Sequence, residues 1–102
     1  IADFELFWTN GHGVLEVKQV DHAFRLPLKN FPVKKHAKIQ RRIFAGGVAV
    51  MAVYHTPTGL WRFPSVVELM ADADKPSWDL SEYPTYENLT FIETLRTLVK
   101  GF

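Results

Sequence analysis

The sequence predicts an α/β domain: a mixed central β-sheet flanked by helices. Three observations predict it. Two runs rich in aromatic and β-branched residues, Asp3–Thr9 and Gly13–Val20, are separated by Asn10-Gly11-His12-Gly13, and Asn-Gly is the strongest short hairpin signal. An amphipathic segment over about Pro32–Ala45 runs into Gly46-Gly47, a helix with its stop. Val48–Tyr54 is almost wholly apolar, the mark of a central strand covered on both faces. At 102 residues the chain is one domain with enough apolar content for a core.

The elements follow in order. Asp3–Thr9 is the first strand and Gly13–Val20 the second. If Asn10-Gly11 forms a two-residue turn, Asp3 lies opposite Lys18 and diagonal to Glu16; a four-residue turn, Asn10–Gly13, shifts the pairing by two and keeps the faces. Asp21–Phe31, with Pro27, is a connection. In the helix, Pro32 suits the first turn. His36, Ile39 and Ile43 share one face, flanked by Val33 and Phe44, while Lys34, Lys38 and Arg41 lie on another with Lys35 and Arg42 beside them. After the apolar strand, Thr56-Pro57-Thr58-Gly59 is a turn, Leu60–Phe63 a short strand and Pro64–Ala71 a short helix. Asp72–Pro84 is irregular, with Trp78 as an anchor. Tyr86–Lys100 is a final helix with Leu89, Ile92, Leu95 and Val99 as its stripe. The order β-β-α-β-β-α-α belongs to an α/β domain.

Composition excludes several classes. There is no cysteine, so there is neither a disulfide framework nor a thiolate metal site. No leader opens the chain and no apolar run is long enough to span a membrane. These features fit a reducing cytoplasm. The net charge of +1 hides an asymmetry: Glu16–Arg42 holds eight basic residues against two acidic ones, and Pro64 to the end holds seven acidic against three basic. The basic segment is where a polyanion would dock; the alternative is a solvated basic surface balanced by an acidic one.

The chemistry concentrates in Gly13-Val14-Leu15-Glu16-Val17-Lys18. Residues i and i+2 of a strand share a face, so Glu16 and Lys18 project together between apolar neighbours, and Asp3 joins them from the adjacent strand. Charged groups on an apolar sheet are costly unless something uses them. A divalent cation held for phosphodiester hydrolysis explains all three. Such a cation lowers the pKa of a water and neutralises charge on the phosphorus oxygens. Mg²⁺, with Mn²⁺ as an alternative, takes oxygen ligands, which Asp3, Glu16 and the main-chain carbonyl of Val17 supply. Lys18 orients the water or stabilises the pentacoordinate phosphorus.

Asp3, Glu16 and Lys18 form D-x12-E-x-K. With Leu26-Pro27-Leu28-Lys29-Asn30-Phe31 and Gly46-Gly47-Val48-Ala49 following in order, the chain resembles the PD-(D/E)xK nuclease core. More specifically it resembles the RecU-type Holliday junction resolvases, in which an E-A-K strand, an F-P-L-x-N-[FI] segment and a G-G-I-x-F strand take the same order. The likeness covers roughly Asp3–Phe63. It implies a restriction-endonuclease-like fold, metal and catalytic roles for Asp3, Glu16 and Lys18, and a segment at Lys29 and Asn30 that contacts DNA or braces the site. It also implies a four-way DNA junction as substrate, a homodimer because symmetric cutting needs two sites, and the cytoplasm of a bacterial or phage-infected cell. Two departures stand out. The family has a helix glutamine where Lys35 falls here, with Gln40 more than a turn away. The family also has a helix, a strand and a stalk ahead of the aspartate; either these are missing or the chain is a fragment, and the absent initiator methionine favours a fragment.

Other candidates are weaker. His12 and His55 are expected to face solvent and His36 to pack; no H-x3-H spacing suggests zinc. Trp8, Trp61 and Trp78 are expected in the core or at its rim rather than stacked on bases. The helix cations Lys34, Lys35, Lys38, Arg41 and Arg42 are expected to meet phosphates. The leading reading is a Mg²⁺-dependent endonuclease for branched DNA. Its rivals are another nuclease of this superfamily acting on flaps or duplex, and a non-catalytic DNA-binding module.

Overall fold

The computed structural model describes residues 3–21, 24–87 and 93. A four-stranded sheet is built from β1 (Asp3–Trp8), β2 (Gly11–Val20), β4 (Val48–His55) and β5 (Leu60–Arg62), in the order β1-β2-β4-β5. β1–β2 and β4–β5 are antiparallel and β2–β4 is parallel, so the sheet is mixed, as expected. The parallel pair requires a crossover, which carries β3 (Arg25–Pro27), a 3₁₀ turn (Leu28–Asn30) and helix α1 (Val33–Phe44). Helix α2 (Val66–Ala71) and β6 (Ser77–Asp79) follow β5. β3 and β6 form a separate two-stranded sheet.

The first turn differs from expectation. Trp8 pairs with Gly11, so the turn is Thr9-Asn10 and β2 begins two residues early. The cause is packing: a Cβ on Gly11 would come within 2.7 Å of the Trp8 indole. Gly11 is therefore needed beneath that ring, and the turn contains no positive φ that would demand glycine. The register moves by two from that of an Asn10-Gly11 turn, setting Asp3 directly opposite Glu16.

The period of two along β2 divides the protein into two layers. Val14 and Val20 point to the main core with Met51 and Val53 of β4, Ile39 of α1, Leu69 of α2, and Leu26, Phe31, Trp78 and Leu80. Leu15 points the other way, to a second core with Val48, Val50 and Ala52, edged by Leu6, Trp8, Val17, Trp61 and Phe63. β4 is thus central and covered on both faces, which is why its sequence is apolar at nearly every position.

Helix α1 lies on the main-core face. Pro32 is its N-cap rather than its first helical residue, and Gly46 ends it at φ 87°. His36 and Ile39 are buried, but Phe44 and Val33 are exposed, Phe44 almost completely, so the two flanking positions belong to the surface. α2 is capped by Ser65, whose hydroxyl accepts from the Glu68 N–H at 3.3 Å, a Ser-x-x-Glu start signal. The Glu68 carboxylate accepts from the Tyr83 hydroxyl at 2.9 Å. Partial burial, reinforced by that bond, raises the Tyr83 phenol's pKa.

The segments 24–31 and 77–83 are more ordered than their composition suggested. The Leu28 N–H donates to Pro76 O and the Leu80 N–H to Phe24 O, closing β3 on β6. The Ser81 main-chain N–H and hydroxyl, with a smaller contribution from Arg25, hold the Asp79 carboxyl below its usual pKa. Trp78 is buried at the centre of this corner, as its role as an anchor requires. The C-terminal helix expected from Tyr86 does not start there, because Tyr86 bridges to Trp61 as extended chain. Its stripe, Leu89, Ile92, Leu95 and Val99, lies outside the described residues.

Gly13 sets the distance between β2 and β4. A Cβ there would sit 2.5 Å from Val48 O, a backbone atom that cannot yield. At Gly46, by contrast, a Cβ would meet nothing within 4 Å and only the positive φ opposes it. Gly46→Ala is expected to cost about 1–2 kcal/mol, the left-handed strain alone, and Gly13→Ala distinctly more. Urea denaturation of the two variants checks the order; equal costs would show that the β2–β4 contact can open.

Candidate active site

Glu16 and Lys18 stand on the main-core face of β2, in line with Val14 and Val20 and beside Met51 and Val53 of the parallel partner. Both are almost fully buried, their side chains 3% and 5% exposed. Lys18 Nζ is 3.6 Å from Glu16 Oε1. From above, Lys35 on the first turn of α1 brings its Nζ to 3.5 Å from the same oxygen, with 37% of its side chain still in solvent. One buried carboxylate oxygen therefore faces two ammonium groups, one from the strand and one from the helix.

The hairpin adds to this group. Directly opposed residues of an antiparallel ladder occupy one face of the sheet, so the Asp3–Glu16 pairing sets both acidic positions on the face that α1 covers. Val17 sends its side chain toward the second core, which leaves only its main-chain carbonyl as a metal donor. Glu5, opposite Val14, forms an ion pair with Arg42 of α1 at 2.6 Å. Arg42 also donates to Gly13 O at 3.2 Å. It thus staples the end of α1 to both strands of the hairpin.

Between hairpin and helix lies a cleft of about 80 Å³ lined by Glu5, Val14, Glu16, Lys35, Lys38, Ile39 and Arg42. Among the described residues, no three acidic or histidine side chains gather closely enough to hold a metal ion by themselves. The Glu16 carboxylate is already faced by Lys18 and Lys35, and Lys38 and Arg42 line the same cleft.

The helix cations divide into two groups that the sequence did not separate. Lys35, Lys38 and Arg42 line the cleft. Lys34 and Arg41 are exposed and turn away from it. Lys29 and Asn30 belong to neither group: they line a different cleft with Gln19, Asp21, Arg25 and Ser77. Gln40 faces an apolar groove between α1 and α2 beside Ile43, Phe44 and Val67. Lys35, which falls where the resembled family has its helix glutamine, reaches Glu16 as Lys18 does.

Among the described residues the histidines and tryptophans are mainly structural. His36 is buried, with Nε2 2.8 Å from Phe31 O and its ring 4.5 Å from that of Phe31, which bears out a packing role. His55 is buried, not solvent-facing: its Nδ1 is 2.8 Å from Thr58 Oγ1 and its ring lies 4.6 Å from Phe24. His12 is half-buried within β2 rather than in the turn. Trp78 is in the core, and Trp8 and Trp61 pack at the edge of the second core.

No family model, no curated protein and no solved structure matches this chain. The resemblance to junction resolvases accordingly rests on the three sequence stretches. Their places in the fold are β2 for Glu16-Val17-Lys18, the end of β3 and the 3₁₀ turn for Leu26–Phe31, and the exit from α1 into β4 for Gly46–Ala49.

A buried ion pair recovers its desolvation cost only through its partner, and removing one member costs about 3–5 kcal/mol while replacing both by apolar groups is often neutral. Glu16→Met and Lys18→Met are each expected to destabilise the fold by about that amount, and the double variant by much less than their sum. Urea denaturation of the four proteins gives the coupling. Strictly additive costs would mean that the two charges do not depend on each other.

Proposed function

We propose that this chain is a metal-dependent, structure-selective DNA endonuclease. It hydrolyses phosphodiester bonds in branched DNA on a restriction-endonuclease-like core, as the RecU-type Holliday junction resolvases do. The observation that carries the proposal is the buried Glu16–Lys18 pair on β2, set beneath a basic helix and across the ladder from Asp3. A domain of this size gains little stability from such a pair over apolar residues of the same volume, which favours a chemical use for it.

Asp3, Glu16 and the Val17 carbonyl would hold Mg²⁺, or Mn²⁺ in its place. A bound cation of this kind supplies a water of lowered pKa and neutralises charge on the phosphorus oxygens. Lys18, fixed by its burial, orients the attacking water or stabilises the charge that grows on phosphorus; a preorganised ammonium in a dry site is worth more than one in water. The exposed cations Lys34, Lys38 and Arg41 bind the DNA backbone, with Lys35 and Arg42 at the cleft and Lys29 and Asn30 contacting DNA at a second patch. Phosphate contacts position a duplex without reading its sequence, which suits recognition by DNA shape. A homodimer would present two equivalent sites to a four-way junction. Among the described residues no helix is long and apolar enough to cross a membrane.

One observation favours a second reading, a DNA-binding module without catalysis. Glu16 is already neutralised by two lysines, an arrangement that needs no metal. Cleavage of a four-way junction, a flap and a linear duplex, each with and without Mg²⁺, separates the two. Mg²⁺-dependent cuts that favour the branched substrates are expected, and binding without any cuts would establish the module.

Glu16→Gln keeps an acceptor oxygen for the lysines and removes the carboxylate. It is expected to abolish cleavage and to leave junction binding within a few-fold of the parent in a gel-shift assay. Full cutting by this variant would take Glu16 out of the mechanism. Neutralising Lys34, Lys38 and Arg41 together is expected to flatten the dependence of log K on log salt by about 2 to 3 units, close to 0.9 per phosphate contact. An unchanged slope would locate the DNA on another face.

A further inference from the structure

The phenylalanine rings divide into two kinds. Phe24, Phe31 and Phe63 lie against other rings, those of His55, His36 and Tyr86 in turn. Phe7 and Phe44 stand in solvent: among the described residues they are the most exposed large hydrophobic side chains, at 76% and 91%. A single exposed apolar side chain needs no explanation, but these two frame the same end of one helix. Phe44 closes α1 on the side of α2, beside Val67 and Met70. Phe7 stands on the hairpin side. It pairs with His12, and the His12 ring lies so near Gly47 that an added Cβ there would come within 2.7 Å of it. Gly47 in turn donates its N–H to Arg42 O of α1 at 2.9 Å. Between these flanks, the solvent side of the helix carries Lys34, Lys38 and Arg41, all exposed. Lys34, Lys38, Arg41 and Phe44 follow at intervals of four, three and three, the spacing of side chains that adjoin on a helix. A row of exposed cations therefore runs into an exposed ring.

We propose that this end of α1, with Phe7 and Phe44 at its flanks, is a docking platform for single-stranded nucleic acid. Proteins that hold single strands without reading sequence combine cations along the backbone with aromatic side chains on which bases stack. Here Lys34, Lys38 and Arg41 hold the phosphates, and Phe44 and Phe7 each offer a face to an unpaired base. Charge complementarity selects a polyanion. The rings select one whose bases are unstacked, because only such bases can lie on an aromatic side chain. A lipid surface fits less well: it asks for a continuous apolar face, whereas the side between these rings is charged. The proposal rests on the nucleic-acid part of the nuclease reading. It adds what in a branch is recognised, namely nucleotides left unpaired, as at a flap or an opened junction centre. Phe7 and Phe44 are positioning residues, since neither lines the cleft at Glu16.

The test is fluorescence anisotropy of a labelled thymidine oligonucleotide, a linear duplex and a four-way junction, with the full chain in buffer free of divalent cations. Phe44→Ala and Phe7→Ala are each expected to weaken single-strand binding on the order of tenfold, the loss usual for one stacked base, and to leave duplex affinity unchanged. Phe44→Leu is expected to lose as much as Phe44→Ala, and Phe44→Trp to bind at least as tightly as the parent, because stacking needs a ring and not merely an apolar side chain. Both positions are exposed, so circular dichroism is expected to find every variant as folded as the parent. Single-strand affinity unchanged in the double variant Phe7→Ala, Phe44→Ala would overturn the platform, and Mg²⁺-dependent junction cleavage by that same variant would leave the nuclease reading standing. Absence of parent binding to all three DNAs would remove both. Binding of phosphatidylserine vesicles that the double variant loses, with its single-strand binding unchanged, would give the face to a lipid surface instead.

Discussion

The burial of a carboxylate and an ammonium side by side on β2 constrains most of what surrounds them. Neither charge tolerates an apolar environment alone, so each must hold the other within ion-pair distance and the strand that carries them must not slip. β2 is secured on both edges, by β1 in antiparallel and by β4 in parallel register. Its two faces alternate strictly between the main core and the second core. A slip of one residue would drive Glu16 and Lys18 into the second core and bring Leu15 and Val17 under α1, so the hydrophobic pattern and the charge pair specify one register together.

Placement of α1 follows from the same constraint. Ile39 and His36 fix the helix to the core by burial, but burial alone leaves rotation and sliding weakly determined. Arg42 removes that freedom by bridging Glu5 of β1 and Gly13 O of β2, and Lys35 ties the other end of the helix to Glu16. The helix is thus pinned at both ends by cations that reach down to the hairpin. Gly13 allows β4 close enough to β2 for this arrangement, and the Trp8 indole over Gly11 sets the turn that brings Asp3 across from Glu16. A two-residue change in that turn would move the Asp3 position along the strand by about 7 Å, from directly opposite Glu16 to diagonal to it.

The strands and helix that position the site were legible in the sequence because each spans several periods of its pattern. β2 reads as alternation, β4 as an unbroken apolar run, and α1 as an apolar stripe between Pro32 and Gly46-Gly47. β3 and β6 were not legible. Each has three residues, too few to show a period, and they are held by pairing with one another across some fifty residues. The hairpin turn was misplaced by one residue because Asn-Gly is a local signal, and here packing of Trp8 on Gly11 overrides it. His55 was misjudged because its position at the strand end hid the cover that Phe24 and Thr58 provide. The approach of Lys35 to Glu16 depends on where α1 crosses β2, which no local pattern encodes. The one available signal was a first helical turn with two lysines and no acid, an arrangement that the dipole disfavours.

The division of the helix cations follows from a periodicity of 3.6 residues on a helix packed by one side. Lys35, Lys38 and Arg42 fall at intervals of three and four, so they align along the edge that meets the cleft. Lys34 and Arg41, seven apart, align along the solvent side. The first row is committed in part to the carboxylates of the hairpin, and the second is exposed. Lys38, exposed and four residues from Lys34 and three from Arg41, adjoins the outer row as well as the cleft. Lys35 and Arg42 flank Lys38 and hold Glu16 and Glu5 in turn. The helix therefore serves at once as the wall of the cleft and as a row of exposed cations, and its placement over β2 connects the two.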